Sequence, residues 1–400
     1  MNQKISSYFI FSLIAITILT VSCQRAKDND WVKIAINRSS EQLLAAAEIF
    51  KDSLKNPRTF ENGKVILVGE KDWTSGFFPG SLWLMYELTK DEKFKIEAQH
   101  YTSLLDSAQY RTNTHDLGFI IYCSYGNGLR LTGDSSYRRV MLNGAKSLIT
   151  RYNPKIGLIR SWDFNKDIWQ NPVIIDNMMN LEFLLWASKV SGDTSMQSAC
   201  ISHADKTMTN HYRPDNSCFH VVDYDSITFM PRHKQTHQGY SDSSSWARGQ
   251  AWGLYSYTMM YRETKDEKYL DQAQKIAAFI LNHPRMPEDK IPYWDFDAPN
   301  IPSEPRDASA AAVIASALIE LHLHVPENKT YFATAKTILK NLSSDKYLAA
   351  KDENGLFILK HSTGNWPMKS EINTPLNYAD YYFIEALGRY MRVKGLGNLD

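Results

Sequence analysis

The 400-residue chain carries 45 basic and 44 acidic side chains, a net charge of +1, so no overall field draws it to nucleic acid. An apolar fraction of 43% supports a large core and excludes a disordered chain. Aromatic residues reach 12%, with 10 Trp and 22 Tyr, enough both for packing and for flat platforms that suit C–H-rich ligand faces.

At the N-terminus, Lys4 precedes an apolar run from Tyr8 to Val21 that stops abruptly at Ser22 and Cys23. The run is too short for a membrane span and reads as a secretion signal over residues 1–22. A small residue directly before Cys is the pattern of a bacterial lipoprotein signal, with Thr20 the departure from it, so Cys23 is the expected lipid-attachment residue. Residues 24–35 read as a polar tether and 36–400 as one catalytic-size domain. The expected location is the bacterial cell envelope, with the lipid as the membrane contact. Cys123, Cys200 and Cys218 remain; their odd number permits at most one disulfide, and the absence of CxxC spacing argues against a cysteine metal site.

Apolar residues then recur at three- and four-residue spacing, which predicts helices over 40–54, 76–89, 92–109, 117–131, 136–151, 174–190, 195–211, 246–263, 267–282, 307–323, 328–343 and 376–393. Short strands are expected at Cys218–Asp223 and Gly355–Lys360. The turns around Asp91, Asp134, Asp193 and Asp266 share one grammar: a helix ends, a polar turn follows, and an acid caps the next helix before an aromatic or Met anchor. Val325 to Asn328 is a degenerate fifth copy. Helices before each turn are apolar and rich in small residues; those after it are charged. This asymmetry predicts an all-α fold, an (α/α)6 toroid of about twelve helices, inner ring wrapped by outer, with long loops at one mouth. An open superhelix is the alternative; the uneven repeat length favours closure.

The segments leading into the inner helices, Trp73–Gly80, Arg111–Asp116, Trp162–Asp176, Tyr240–Trp252, Pro299–Asp307 and His361–Pro375, concentrate Trp, His, Asp, Arg and Ser. Asp116 and Asp176 stand out, each a carboxylate at the lip of an apolar helix. An ordinary N-cap is the bland explanation. Burial and a second acid would raise the pKa of such a group and the helix dipole would lower it; if the first two win, one Asp serves as a general acid. His115 adjoins Asp116, and His220 sits in a strand-like piece that could line the mouth, whereas His233 and His237 resemble exposed loop residues. Arg248, between Trp246 and Trp252, opposes its helix dipole; a bound acidic sugar or an internal bridge to an acid such as Asp242 would relieve it. Asp307 with its run of small residues reads as an N-cap with tight packing. Ser362, Thr363, Lys369 and Ser370, with Trp366, belong to a loop that could meet a second sugar or a sulfate. No phosphate loop, dinucleotide fingerprint or His-rich metal spacing occurs, so neither cofactor nor metal is expected.

His-Asp-Leu-Gly-Phe at 115–119, Ile-Ile-Asp-Asn-Met-Met-Asn at 174–180, Gln-Gly-Tyr-Ser-Asp at 238–242, Trp-Ala-Arg-Gly-Gln-Ala-Trp at 246–252, Asp-Ala-Ser-Ala-Ala-Ala at 307–312 and Tyr-Ala-Asp-Tyr-Tyr-Phe at 378–383 resemble the unsaturated glucuronyl hydrolases of glycoside hydrolase family 88. The resemblance spans nearly the whole mature chain. It implies an (α/α)6 barrel and removal of a 4,5-unsaturated uronic acid from the non-reducing end of oligosaccharides, of disaccharide size, left by polysaccharide lyases. It implies Asp176 as general acid/base and Asp116 as assisting carboxylate, with Trp73, His115, Trp162, His220, Gln238, Trp246, Arg248 and Trp252 at substrate-binding positions. An unsaturated rhamnogalacturonyl hydrolase, a glycan-binding lipoprotein without catalysis and an inverting glycosidase remain as alternatives.

Overall fold

The computed structural model describes residues 30–396. The signal 1–22, the lipidation candidate Cys23 and tether residues 24–29 lie outside them. Helix α1 covers 30–50 and buries Val32, Ala35, Ile36, Leu43, Ala46 and Ala47 at helical spacing. It therefore starts well before position 40, and residues 30–35, read as tether, are part of the helix.

Two strands follow, β1 (Asn56–Glu61) and β2 (Lys64–Val68), paired antiparallel. The sequence reading missed this hairpin although Asn62-Gly63 carries its turn signal; both residues adopt positive φ, 51° and 75°. Helices α2 (Phe77–Thr89) and α3 (Glu92–Ser103) come next. A π-helical stretch, Gly118–Gly126, runs into α4 (Asn127–Thr132), and α5 spans Ser135–Ile149. The short pair β3 (Tyr152–Asn153) and β4 (Leu158–Ile159) precedes β5 (Pro172–Ile174), a 3-10 segment Ile175–Asn180, α6 (Leu181–Ser191) and α7 (Thr194–His211). Then come β6 (Val221–Tyr224), β7 (Pro231–Gln235), α8 (Ala247–Thr264), α9 (Glu267–Asn282), α10 (Ala308–His324) and α11 (Lys329–Leu342). The hairpin β8 (Ser362–Asn365) and β9 (Ser370–Thr374) leads into α12 (Asn377–Lys394).

Five outer helices start where the turn grammar places them. Asp91, Asp134, Asp193, Asp266 and Asn328 each accept the backbone N–H two residues on, capping α3, α5, α7, α9 and α11. The inner helices pack α2 to 118–132, then α6, α8, α10 and α12, and α12 returns to α2, which closes the ring. Small residues let them approach. The first fourteen residues of α10, Ala308–Leu321, are all buried, and a Cβ on Gly76 would meet the Phe119 carbonyl at 2.2 Å. The strand expected at Cys218–Asp223 is shifted to 221–224. Gly355–Lys360 is no strand: it holds a 3-10 turn and one isolated bridge, Leu348 to Leu359. Cys123, Cys200 and Cys218 are buried free thiols. Among the described residues no helix is long and apolar enough to cross a membrane.

Candidate active site

The loops before the inner helices frame a cavity of about 530 Å3. Asp116 and Asp176 both line it, together with Trp73, His115, Trp162 and Gln238. A larger cavity of about 660 Å3 reaches into the barrel between the later turns of the inner helices, but its charges are spent internally: Arg130 grips Glu87, Glu182 pairs with Arg262, and Arg389 with Glu320 and Glu385. Uncommitted acids are confined to the smaller one.

Neither Asp caps its helix. The π-helical stretch is preceded by Leu117 and the 3-10 segment by Ile174, with no side-chain cap in either case. These irregular first turns free both carboxylates from capping, and wide or tight helical turns of this kind recur at functional sites. Strand pairing then selects Asp176's neighbour. β5 and β6 pair Val173 with Val222 and Ile174 with Val221, and the Ile175 N–H donates to the His220 carbonyl at 3.0 Å. His220 Nε2 consequently lies 3.6 Å from Asp176 Oδ2.

The proton positions follow from the partners. Burial first, then the charges of His237 and Arg248, push His220 well below the ordinary imidazole range, so its ring is neutral. Its Nδ1 accepts the backbone N–H groups of His237 and Gln238, both at 3.1 Å, which leaves the proton on Nε2, facing Asp176. Asp176 is 7% exposed, and burial raises its pKa to about 7, with Asp116 adding to the rise and Arg248 and the Trp252 indole opposing it. A carboxyl in that range exchanges its proton near neutrality, as an acid/base catalyst must.

Asp116 is arranged differently. Its Oδ2 accepts the Thr114 hydroxyl at 2.8 Å, and its Oδ1 lies 3.2 Å from His115 Nε2. His115 Nδ1 is 2.7 Å from the Ser161 carbonyl and must donate to it. Burial lowers the His115 pKa, which leaves Nε2 as the unprotonated ring nitrogen facing Asp116 Oδ1.

Aromatic rings wall the cavity. Trp162 stacks on Phe164 with centroids 4.9 Å apart and touches His237 at 5.4 Å; Trp73 lies 5.0 Å from Tyr378. His237 therefore belongs to the cavity and is not an exposed loop residue, whereas His233 is exposed. Trp246, Trp252 and His220 do not reach the cavity surface. Trp246 lies 4.5 Å from the His220 ring, and Trp252 packs on Phe119 and Tyr382, both at 5.4 Å, beneath the acids.

Arg248 is fully buried and its fork points into the protein. Nη1 donates to Asp307 at 3.0 Å and to the Thr363 carbonyl at 2.6 Å, and Nη2 to the Gly364 carbonyl at 2.6 Å. The internal partner is thus Asp307, which also caps α10 through the Ser309 N–H; Asp242 instead accepts the Thr236 N–H. Of the Arg248 donors only Nε lacks a partner, and the side chain does not line the cavity. Ser362 and Thr363 are buried in β8, Lys369 is exposed, Ser370 is half-buried, and none lines the cavity. The hairpin reaches it through Gly364, Asn365 and Glu371 instead.

Sequence reasoning missed several lining residues. Arg111, Asn113 and Thr114 fall inside a segment already singled out, but Arg58 comes from β1, whose only signal was the Asn62-Gly63 turn. Arg58 binds Glu371 through Nε and Nη2, at 2.6 and 3.0 Å, and Asp72 through Nη1 at 2.6 Å. Among the described residues no cluster of His, Cys, Asp or Glu is placed to hold a metal ion.

The sequence matches Glycosyl Hydrolase Family 88 over residues 51–397. The chain belongs to this family. An unsaturated glucuronyl hydrolase of Formosa agariphila is 52% identical over 323 residues, 80% of each chain. An unsaturated chondroitin disaccharide hydrolase of Streptococcus agalactiae is 32% identical over 90% of this chain and 92% of its own. A crystal structure of an unsaturated glucuronyl hydrolase specific for heparin superposes with a TM-score of 0.91 at 52% identity, over 93% of this chain and all of the other. The family 88 chain is therefore a glycoside hydrolase on an (α/α)6 barrel, as its helix grammar and closed ring require.

Proposed function

We propose that the protein removes 4,5-unsaturated uronic acid from the non-reducing end of lyase-generated glycosaminoglycan disaccharides, and prefers those of heparin type. The observation that carries this reading is a buried carboxyl, Asp176, that holds its proton to about pH 7 beside a second acid in an aromatic-walled cavity. The likeness to a heparin-specific structure at 52% identity, against 32% for the chondroitin disaccharide hydrolase, supports the preference.

The substrate is a vinyl ether. Asp176 donates its proton to C4, the C4=C5 electron pair forms the new C–H bond, and positive charge spreads over C5 and the ring oxygen. The Asp176 carboxylate then takes a proton from water as the water oxygen bonds to C5. The product is a hemiketal, which opens and releases the remaining sugar without further help. Asp116 holds sugar hydroxyls and keeps Asp176 protonated by its charge. Because no displacement occurs at C1, the carboxylate spacing rules of retaining and inverting glycosidases do not apply.

A panel of unsaturated disaccharides from heparin, chondroitin, hyaluronan and pectin tests this, followed by loss of the double-bond absorbance. Heparin-type substrates are expected to exceed chondroitin-type in kcat/KM by about tenfold, a transition-state difference of about 1.4 kcal/mol. Turnover of pectin fragments alone, or of saturated glucuronides, overturns the reading. We further propose that Cys23 carries a lipid that anchors the enzyme in the cell envelope. Cys23→Ser is expected to move the protein from the membrane to the soluble fraction; an unchanged distribution contradicts this.

A further inference from the structure

Every substrate of the reaction proposed above carries a carboxylate on the ring being hydrated, and burying that charge in a small cavity requires a cation. Three arginines stand near enough to be considered. Arg248 is fully buried and does not line the cavity; Nη1 and Nη2 bind Asp307 and two backbone carbonyls, and its unpartnered Nε is enclosed in the protein. Arg58 lines the cavity, but Glu371 occupies its Nε/Nη2 edge and Asp72 its Nη1.

Arg111 is different. It lines the cavity in the segment that ends at Asp116. Its Nη1 donates to the backbone carbonyls of Glu70 at 3.2 Å and Lys71 at 2.9 Å, which fixes the side chain. Among the described residues no acid lies within ion-pair distance of it, and its Nε and Nη2 have no protein acceptor. Nε–H and Nη2–H form the guanidinium edge that grips a carboxylate with two parallel hydrogen bonds. The side chain is thus held from behind with that edge free.

We infer that Arg111, and not Arg248, is the anion anchor of the cavity and takes the carboxylate of the unsaturated uronide. The inference rests on the reading under Proposed function and adds a positioning residue to it. Arg111 does no proton transfer. It fixes the ring so that C4 and C5 face Asp176, which makes its contribution one of orientation.

The test compares wild type, Arg111→Gln and Arg111→Lys on an unsulfated unsaturated disaccharide, its uronate methyl ester and a sulfated counterpart. Arg111→Gln is expected to lower kcat/KM on the free acid by about ten- to hundredfold, the range for a hydrogen bond to a charged group. Arg111→Lys should recover part of that loss, because it restores charge but not the two-pronged edge. On the methyl ester, wild type and Arg111→Gln should differ by less than about threefold. Equal losses on acid and ester would make Arg111 a scaffold for the Glu70–Lys71 turn and overturn the inference. A loss confined to the sulfated substrate would assign the anion to a sulfate ester and overturn it too. Wild-type inactivity on every unsaturated disaccharide would instead refute the underlying reading, so the two failures are separable.

Discussion

Asp176→Asn is expected to lower kcat by about a thousandfold or more while leaving substrate affinity within a few-fold, because it removes the proton donor and keeps the shape of the site. Single-turnover loss of the double-bond absorbance measures the first effect and equilibrium titration the second. Normal turnover in this variant would remove Asp176 from the mechanism. The same change should alter stability in a pH-dependent way. The carboxyl rises from 3.8 to about 7 on folding. Below the lower value both states hold the proton and no penalty exists. As pH climbs between the two values the unfolded chain releases its proton and the native state does not, so stability falls with rising pH and the full penalty stands above about 7. The gap corresponds to about 4 kcal/mol. Relative to wild type, Asp176→Asn should gain stability across that window, read from urea midpoints at acidic and at mildly alkaline pH. Parallel pH dependences in the two proteins would contradict the buried-acid assignment. For wild-type activity the sign is also fixed: a general acid must be protonated in the free enzyme, so kcat/KM should fall above about pH 7.

Arg248→Ala should be the most destabilising single change in the site, by about 3–5 kcal/mol, since it strands Asp307 as a buried, unpaired charge and removes a donor from each of two carbonyls. The hairpin β8–β9 should also loosen, because the Gly364 carbonyl keeps only its 3.1 Å bond from Gln238 Nε2. A second readout separates an electrostatic role from mere packing. Arg248 favours the ionised form of Asp176, so its loss should raise the Asp176 pKa above about 7. The alkaline limb of the pH–rate profile should therefore move to higher pH in whatever activity survives. A variant that loses stability with the limb unmoved would mean that Arg248 acts only as scaffold.

Legibility in the sequence differed by the kind of signal. The outer helices announced their own starts, because a cap such as Asp193 or Asp266 lies two residues from the N–H it satisfies. The inner helices announced their burial through Ala- and Gly-rich runs. Asp116 and Asp176 could be picked out because a carboxylate beside an apolar helix is costly wherever the chain goes. Arg248 was visible for the same reason: an arginine opposing a helix dipole needs an anion, and the fold, not the sequence, supplies Asp307 as the internal one. His237 was misjudged as exposed since its partners Trp162, Trp169 and His220 are distant in the chain.

By itself the sequence determined the helical ring and its two candidate acids, since helix period, capping and the expense of an isolated buried charge are local properties. The tertiary structure decided which side chains meet. The β5–β6 register sets His220 against Asp176, and a backbone clamp from the turn after β2 holds Arg111 with one edge open. Those contacts join segments tens of residues apart, and a register or a hydrogen-bond partner exists only once the ring has closed.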